Sequence, residues 1–375
     1  MPLQENACQQ RRERLLAQTD ADLIVISNPS HVLYFSGYWS TPLHIGSQGG
    51  SHLLIDGKSG STTLLVHDFA PDAQSAYVDE VALWHWYDAA TDAAPPLFPT
   101  MLATLNHRLS HQAGRVAIES GSLPHGILTT PTVDITPTIL AMRRQKYPDE
   151  LALLRGCVAA VEAGHRAARE AIRPGVTEID VYNAICAAAV ATAGEPVLPL
   201  GDFVSGERAF KIGGAPTARV LQPGDVMIVD LFPLIDGYRA DFTATYAVSE
   251  RLTEAQQTLE VALHAALAAG ERELTPGAKA STIYTAVKDE LDQRGYAGAF
   301  PHHAGHGLGL GHPEAPYFVP GSDETLQTGD VVTLEPGAYG ADFGGRIEHN
   351  YLITDSGFER LSHHDTRYLS DSSRG

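Results

Sequence analysis

Short apolar runs separated by turn residues dominate the first third of the chain. Ala21-Asp-Leu-Ile-Val-Ile26, His52-Leu-Leu-Ile55, Thr63-Leu-Leu-Val66, Val81-Ala-Leu-Trp84 and Arg115-Val-Ala-Ile118 read as strands, and Thr100 to His111 reads as a helix. An α/β unit without an obvious catalytic cluster is expected over residues 1–140. The pattern then changes. A basic segment over 141–148, containing Arg143-Arg-Gln-Lys-Tyr-Pro148, is expected as a linker. Pro148, followed by Asp149 and Glu150, starts a long helix. Leu151, Leu154, Val158 and Val161 give that helix one apolar stripe.

The second unit, expected over 149–365 with a tail at 366–375, carries a doubled pattern. Leu221-Gln-Pro-Gly-Asp-Val-Met-Ile-Val-Asp230 returns as Leu326-Gln-Thr-Gly-Asp-Val-Val-Thr-Leu-Glu335, and an acid closes each copy. A second acid follows each: Gly237-Tyr-Arg-Ala-Asp241 and Gly344-Gly-Arg-Ile-Glu348. Upstream, Pro174-Gly-Val-Thr-Glu-Ile-Asp-Val-Tyr-Asn-Ala-Ile185 is echoed by Pro276-Gly-Ala-Lys-Ala-Ser-Thr-Ile-Tyr-Thr-Ala-Val287. Both are turns opening helices that end at Gly194 and Gly295. Each half therefore reads as helices over one face of an antiparallel sheet, and a pseudo-twofold would bring the two acid-bearing sheets together. The expected fold class is α+β, preceded by the smaller α/β unit.

Asp236-Gly237 is a two-residue hairpin signal. Pairing outward from it sets Ile235 opposite Tyr238 and Asp230 opposite Thr243. Asp241 then shares a face with Asp230 as a diagonal neighbour, roughly 7–8 Å away between backbones. Pro233 is the weak point, because proline in a strand often marks a bulge. Four carboxylates in apolar strands are costly to bury alone. At this separation they can reach one cation, or two about 3.5–4 Å apart.

A glycine-rich loop supplies imidazoles. In Pro301-His-His-Ala-Gly-His-Gly-Leu-Gly-Leu-Gly-His-Pro-Glu-Ala-Pro316, glycines flank His306 and let its ring project as a nitrogen ligand. One imidazole with four carboxylates is mostly a hard oxygen donor set, which favours Mn²⁺, with Co²⁺ and Zn²⁺ as alternatives. His302, His303 and His312 crowd the same loop.

Composition narrows the partners. With 375 residues, the chain is long enough for two domains. It carries 26 Lys and Arg against 45 Asp and Glu, a net charge of −19, which argues against nucleic acid or an anionic membrane as the main partner. Cys8, Cys157 and Cys186 suggest neither a disulfide framework nor a thiolate metal site. No signal core or long apolar run is present, so a reducing cytoplasm is expected.

At the acids and histidines the chain resembles the pita-bread metallopeptidases: prolidase, aminopeptidase P, methionine aminopeptidase and the metal-free creatinase. Asn28-Pro-Ser-His-Val-Leu-Tyr-Phe-Ser-Gly37 looks like the opening of the amino-terminal domain in the prolidase and creatinase branch, so the resemblance covers nearly the whole length. It implies a centre of two divalent ions held by Asp230, Asp241, His306, Glu335 and Glu348. It further implies that Glu335, beside a bridging water, serves as general base and proton shuttle. His302, or His312, is expected to donate to the developing oxyanion or bind a substrate carboxylate. Arg346, two residues before Glu348 and expected on the same strand face, is a candidate to hold Glu348 or a substrate carboxylate. The branch also implies a homodimer whose amino-terminal unit closes over the partner's site, with Tyr38, Trp39 and His44 as lid candidates against a competing role in buried packing.

Three departures accompany the resemblance. Gly213 stands where the family usually has a histidine, and Ala244 where it has an arginine. Pro313-Glu314 replaces His-Glu, with His312 one place early. The expected activity is cleavage of the bond before proline, most like a bacterial Xaa-Pro dipeptidase. Alternatives are aminopeptidase P on longer peptides, a metal-free creatinase-like hydrolase, suggested by Leu231-Phe-Pro-Leu-Ile-Asp-Gly-Tyr238, and a non-enzymatic binding module of the same fold. The intact ligand set argues against the last two.

Overall fold

A computed structural model describes residues 3–44, 50–70, 72–86, 97–110, 114–121 and 132–369. The chain forms two compact units, Met1–Arg143 and Arg144–Gly375. Their division falls inside the segment expected as a linker.

In the first unit the strands β1 (Leu23–Ile26), β2 (His52–Asp56), β3 (Thr62–His67), β4 (Glu80–Trp84), β5 (Val116–Ile118) and β6 (Thr132–Asp134) form one mixed sheet in the order β4-β3-β2-β1-β5-β6. Five of these follow the apolar runs; β6 is too short and polar to announce itself. Helices α1 (Glu5–Leu16), α2 (Pro29–Ser36), α3 (Leu97–Leu109) and α4 (Thr136–Arg144) complete it. α2 begins at Asn28, whose side chain accepts from Ser30 N, and stops at Gly37 in the left-handed region. Tyr38 is buried, as packing requires, while Trp39 and His44 are half-buried.

The second unit starts with α5 (Pro148–Ala171), with Pro148 at its first position and Glu150 accepting from Tyr147 N. α6 (Glu178–Ala193) follows and packs against it, ending at left-handed Gly194. Then come β7 (Gly201–Ser205), β8 (Val226–Leu231) and β9 (Phe242–Ala247), a three-stranded antiparallel sheet. The second half repeats this order with α7 (Glu254–Glu271) and α8 (Ala280–Leu291). α8 does not end at Gly295 directly; it passes through a π-helical turn over Asp292–Tyr296. A five-stranded sheet follows, built by β10 (His306–Gly307), β11 (Glu314–Tyr317), β12 (Val331–Leu334), β15 (His349–Thr354) and β16 (Gly357–Arg360), with a separate ribbon of β13 (Gly337–Tyr339) and β14 (Gly344–Arg346).

The duplication is visible in hydrogen bonds. Gln222 N donates to Asp225 Oδ2 at 2.9 Å, and Gln327 N to Asp330 Oδ2 at 2.8 Å. Gly175 N donates to Leu221 O, and Gly277 N to Leu326 O. The repeated Gly-Asp thus closes the same turn twice, before each acid-bearing strand. The segment from 366 is not a loose tail as far as it is described: Tyr368 is 1% exposed, and its carbonyl accepts from Ala247 N. Residues 370–375 lie outside the described residues.

Candidate metal centre

The hairpin forms in the expected register, with Asp230 opposite Thr243 and Ile235 opposite Tyr238. Asp236 and Gly237 both have positive φ, as a type I′ turn demands. Pro233 shifts nothing, since pairing is unchanged on either side. β7 adds Asp202 opposite Asp230. Alternation therefore sets Asp202, Asp230 and Thr243 in a row across three strands on one face, with Asp241 one step further along.

The second copy departs from the first. Leu334 pairs with His349, so Glu335 and Glu348 face each other just beyond the paired strands. The β13–β14 ribbon intervenes between them, which is why these acids are thirteen positions apart against eleven in the first copy. Arg346 ends β14, and Glu348 lies in the gap before β15, so the two do not share a strand face as expected. Glu348 is instead tied to the first copy: its N–H donates to Thr243 O at 3.0 Å, and Thr243 Oγ1 donates to Glu348 Oε2 at 2.8 Å.

His306 sits on β10 between two close neighbours. A Cβ at Gly305 would meet Thr333 O at 2.2 Å, and one at Gly307 would meet Ala315 O at 2.0 Å, so only glycine fits on either side. His306 Nδ1 lies 2.8 Å from Gly307 O and therefore carries the proton. Its Nε2 lone pair then faces Asp241 Oδ2 at 3.4 Å and Glu335 Oε1 at 3.7 Å. Lone pairs facing one another across a buried gap call for a cation between them.

The acids say the same. Asp230, Asp241 and Glu348 each offer an oxygen within 4.8 Å of the others. Asp230 Oδ1, Asp241 Oδ1 and Glu348 Oε1 are buried and have no hydrogen-bond partner among the described residues. Burial, reinforced by the neighbouring acids against the opposing pull of Arg346, pushes the Asp230 and Glu348 carboxyls well above their ordinary range. Burial raises Glu335 too, but the hydrogen bond from His303 and the surrounding imidazoles outweigh it and hold this carboxyl at about 2. In Asp241 burial is likewise outweighed, by His312 and His306. The five expected ligands converge, and their donor set fits divalent cations.

Around them, several expectations change. Arg346, 3% exposed, donates to Asp230 Oδ2 at 2.7 Å, Asp202 Oδ2 at 3.2 Å, Thr243 Oγ1, Tyr339 Oη and Ile212 O. It grips Asp230 rather than Glu348, and its donors are spent within the chain rather than left for a substrate carboxylate. His302 Nδ1 lies 2.7 Å from His303 O and carries the proton; burial depresses its pKa to about 4. Its buried Nε2 is therefore an acceptor, not the oxyanion donor expected. His312 points inward, Nε2 at 2.7 Å from Asp241 Oδ2, its ring stacked on Phe232.

Two participants carry no role in the sequence pattern: His303 is visible there only as a loop histidine, and Asp202 not at all. His303 Nε2 is 3.0 Å from Glu335 Oε1; its place three residues before His306 was the available signal. Asp202 fills the space at Gly213, where a Cβ would meet its Oδ2 at 2.0 Å. The absent histidine thus has its volume taken by a carboxylate from β7. Ala244 lies opposite Val229 on the reverse face, so its departure does not touch the cage.

Comparison with known proteins places the chain in a family. Residues 152–355 match the profile described as metallopeptidase family M24, and residues 9–144 match the creatinase/prolidase N-terminal domain. An uncharacterized peptidase of Staphylococcus aureus strain USA300 is 27% identical over 352 residues, 93% of this chain and 97% of the relative. In fold, the chain resembles the prolidase from Pyrococcus horikoshii OT3 with a TM-score of 0.82 at 23% identity, covering 96% of this chain and 100% of that one. The Xaa-Pro dipeptidase from Bacillus anthracis gives 0.83 at 21%, covering 96% and 99%. The X-Pro aminopeptidase from Thermotoga maritima MSB8 gives 0.81 at 20%, with the same coverage of 96% and 99%.

Proposed function

This chain belongs to metallopeptidase family M24, and from that premise we propose that it hydrolyses the peptide bond preceding proline, with Xaa-Pro dipeptides as substrates. The observation that carries the reading is the cage of carboxylate oxygens, without partners among the described residues, closed by the His306 lone pair. Asp230, Asp241, His306, Glu335 and Glu348 would hold two divalent ions. Such ions, when bound, acidify water and polarise a carbonyl.

The chain's own groups do the rest. Glu335, ionised, accepts a proton from water and returns it to the leaving nitrogen. His303, hydrogen-bonded to Glu335 Oε1, keeps that carboxylate oriented. Arg346 fixes Asp230 from behind. His302 accepts from a donor on the substrate through its buried Nε2. The reading includes Mn²⁺ as the ion, a homodimer, and a cytoplasmic site of action. Free energy for a buried substrate carboxylate is not provided by Arg346, which favours aminopeptidase P as the second reading, because a longer peptide brings no carboxylate to this part of the cleft. Assaying Leu-Pro against a longer Leu-Pro-led peptide with Mn²⁺ separates them. Cleavage of the dipeptide supports the first reading, and cleavage of the longer peptide alone overturns it.

A further inference from the structure

We infer that His312 is a metal ligand, so that one position in the cage is built from two imidazoles and one carboxylate: His306, His312 and Asp241. One ligand atom from each lies within 4.8 Å of the other two. Asp241 Oδ2 is 2.7 Å from His312 Nε2 and 3.4 Å from His306 Nε2. Neighbouring ligand atoms around an ion bound at about 2.0–2.1 Å sit roughly 2.9–3.4 Å apart, so small adjustments bring these onto one ion.

The ring is held for that purpose. His312 is stacked on Phe232, with centroids 4.2 Å apart and planes 21° from parallel. Phe232 follows β8 directly, two residues after Asp230, so the hairpin that carries one acid also clamps the imidazole. His312 itself lies 5.3 Å, centroid to centroid, from His306 and nearly perpendicular to it, so the two rings converge edge to face. His303 is differently placed: its side chain is 37% exposed against 16% for His312, and it turns to Glu335.

The consequence is an asymmetric cage. Asp230, Asp241 and Glu348 form an all-oxygen position, suited to Mn²⁺ or Mg²⁺. The position with two imidazoles suits Zn²⁺ or Co²⁺ instead. Asp241 belongs to both. The inference rests on the metal-centre reading of the cage, but its readout is metal binding and stands apart from peptide hydrolysis.

Competition titrations of the metal-free protein with Zn²⁺, Co²⁺ and Mn²⁺ against a chromophoric chelator test it. His312→Ala and His312→Gln weaken one Zn²⁺ or Co²⁺ site by at least about tenfold and leave Mn²⁺ binding within about threefold; His303→Ala leaves that site in place. Proton NMR of the Co²⁺-loaded wild type provides a measurement that needs no variant: two exchangeable imidazole N–H resonances, from His306 and His312, are shifted by the ion. Unchanged Zn²⁺ affinity in both His312 variants, a single shifted N–H resonance, or a wild-type protein that binds no divalent ion would each overturn the assignment.

Discussion

Arg346 Nη2 donates to Asp230 Oδ2 at 2.7 Å, with both side chains almost sealed from solvent. A guanidinium in this position balances one cage carboxylate and, through Thr243, steadies another, since the hydroxyl that receives Arg346 Nε also donates to Glu348. Arg346→Ala leaves buried acceptors on Asp230, Thr243 and Tyr339 without their donor, and the expected cost is about 1–3 kcal/mol for each group so stranded. Urea denaturation of the metal-free variant measures it. Arg346→Lys should recover only part of this, because an ammonium cannot reproduce the planar fork that serves five acceptors.

Glu348 is the acid whose removal separates stability from function. Its carboxyl is pushed up by burial first and then by Asp241, so in the metal-free fold its ionisation is unfavourable. The folded pKa is raised, so the associated stability is present below the unfolded value near 4.3 and is lost as pH rises through the folded one. Glu348→Gln should therefore raise the Tm of the metal-free protein at pH 8, by about 2–4 °C per kcal/mol relieved. The gap should close toward pH 5, and the rise in Tm on adding metal should shrink. Differential scanning calorimetry with and without Mn²⁺ reads all three.

Away from the cage, His165 predicts acid lability. Its Nε2 donates to Phe242 O, its Nδ1 accepts from Tyr246 Oη, and burial lowers its pKa to about 4. With the folded pKa below the unfolded 6.5, the unfolded chain binds the extra proton. Stability is full above 6.5 and falls as pH drops toward 4, by about 3 kcal/mol for this group alone. His165→Gln, which keeps a donor and an acceptor, should flatten the pH dependence of Tm over that window.

How much of this was legible in the sequence varies with the locality of the signal. The first hairpin was fully readable, because Asp236-Gly237 fixes the register and the register fixes which residues share a face. The second copy was not, because the β13–β14 ribbon breaks the strand between Glu335 and Glu348, and spacing alone placed Arg346 on the wrong element. His302 was found, but its role was reversed by a carbonyl 2.7 Å from Nδ1, which no sequence pattern reports. Asp202 was invisible for a related reason. Its importance comes from the empty position at Gly213, eleven residues away in sequence, and from a strand pairing that only the fold supplies.

That pair gives a further prediction. Gly213→His forces a side chain into the Asp202 carboxylate and must displace its hydrogen bonds from Gly214 N and Arg346. The single variant should be destabilised. Adding Asp202→Ala should recover part of the loss, with an interaction energy of about 1 kcal/mol or more between the two changes. Chemical denaturation of the two single variants and the double variant closes the cycle.

In the proposed function a divalent-metal cage drives cleavage before proline. Its most direct test is hydrolysis of Leu-Pro and Leu-Ala by the purified protein, before chelation, after chelation and after Mn²⁺ is restored, with bound metal counted at each stage. The expected outcome is cleavage of Leu-Pro over Leu-Ala, its loss on chelation, and its return as metal refills the cage. Hydrolysis that survives complete metal removal, or equal cleavage of the two dipeptides, would contradict it.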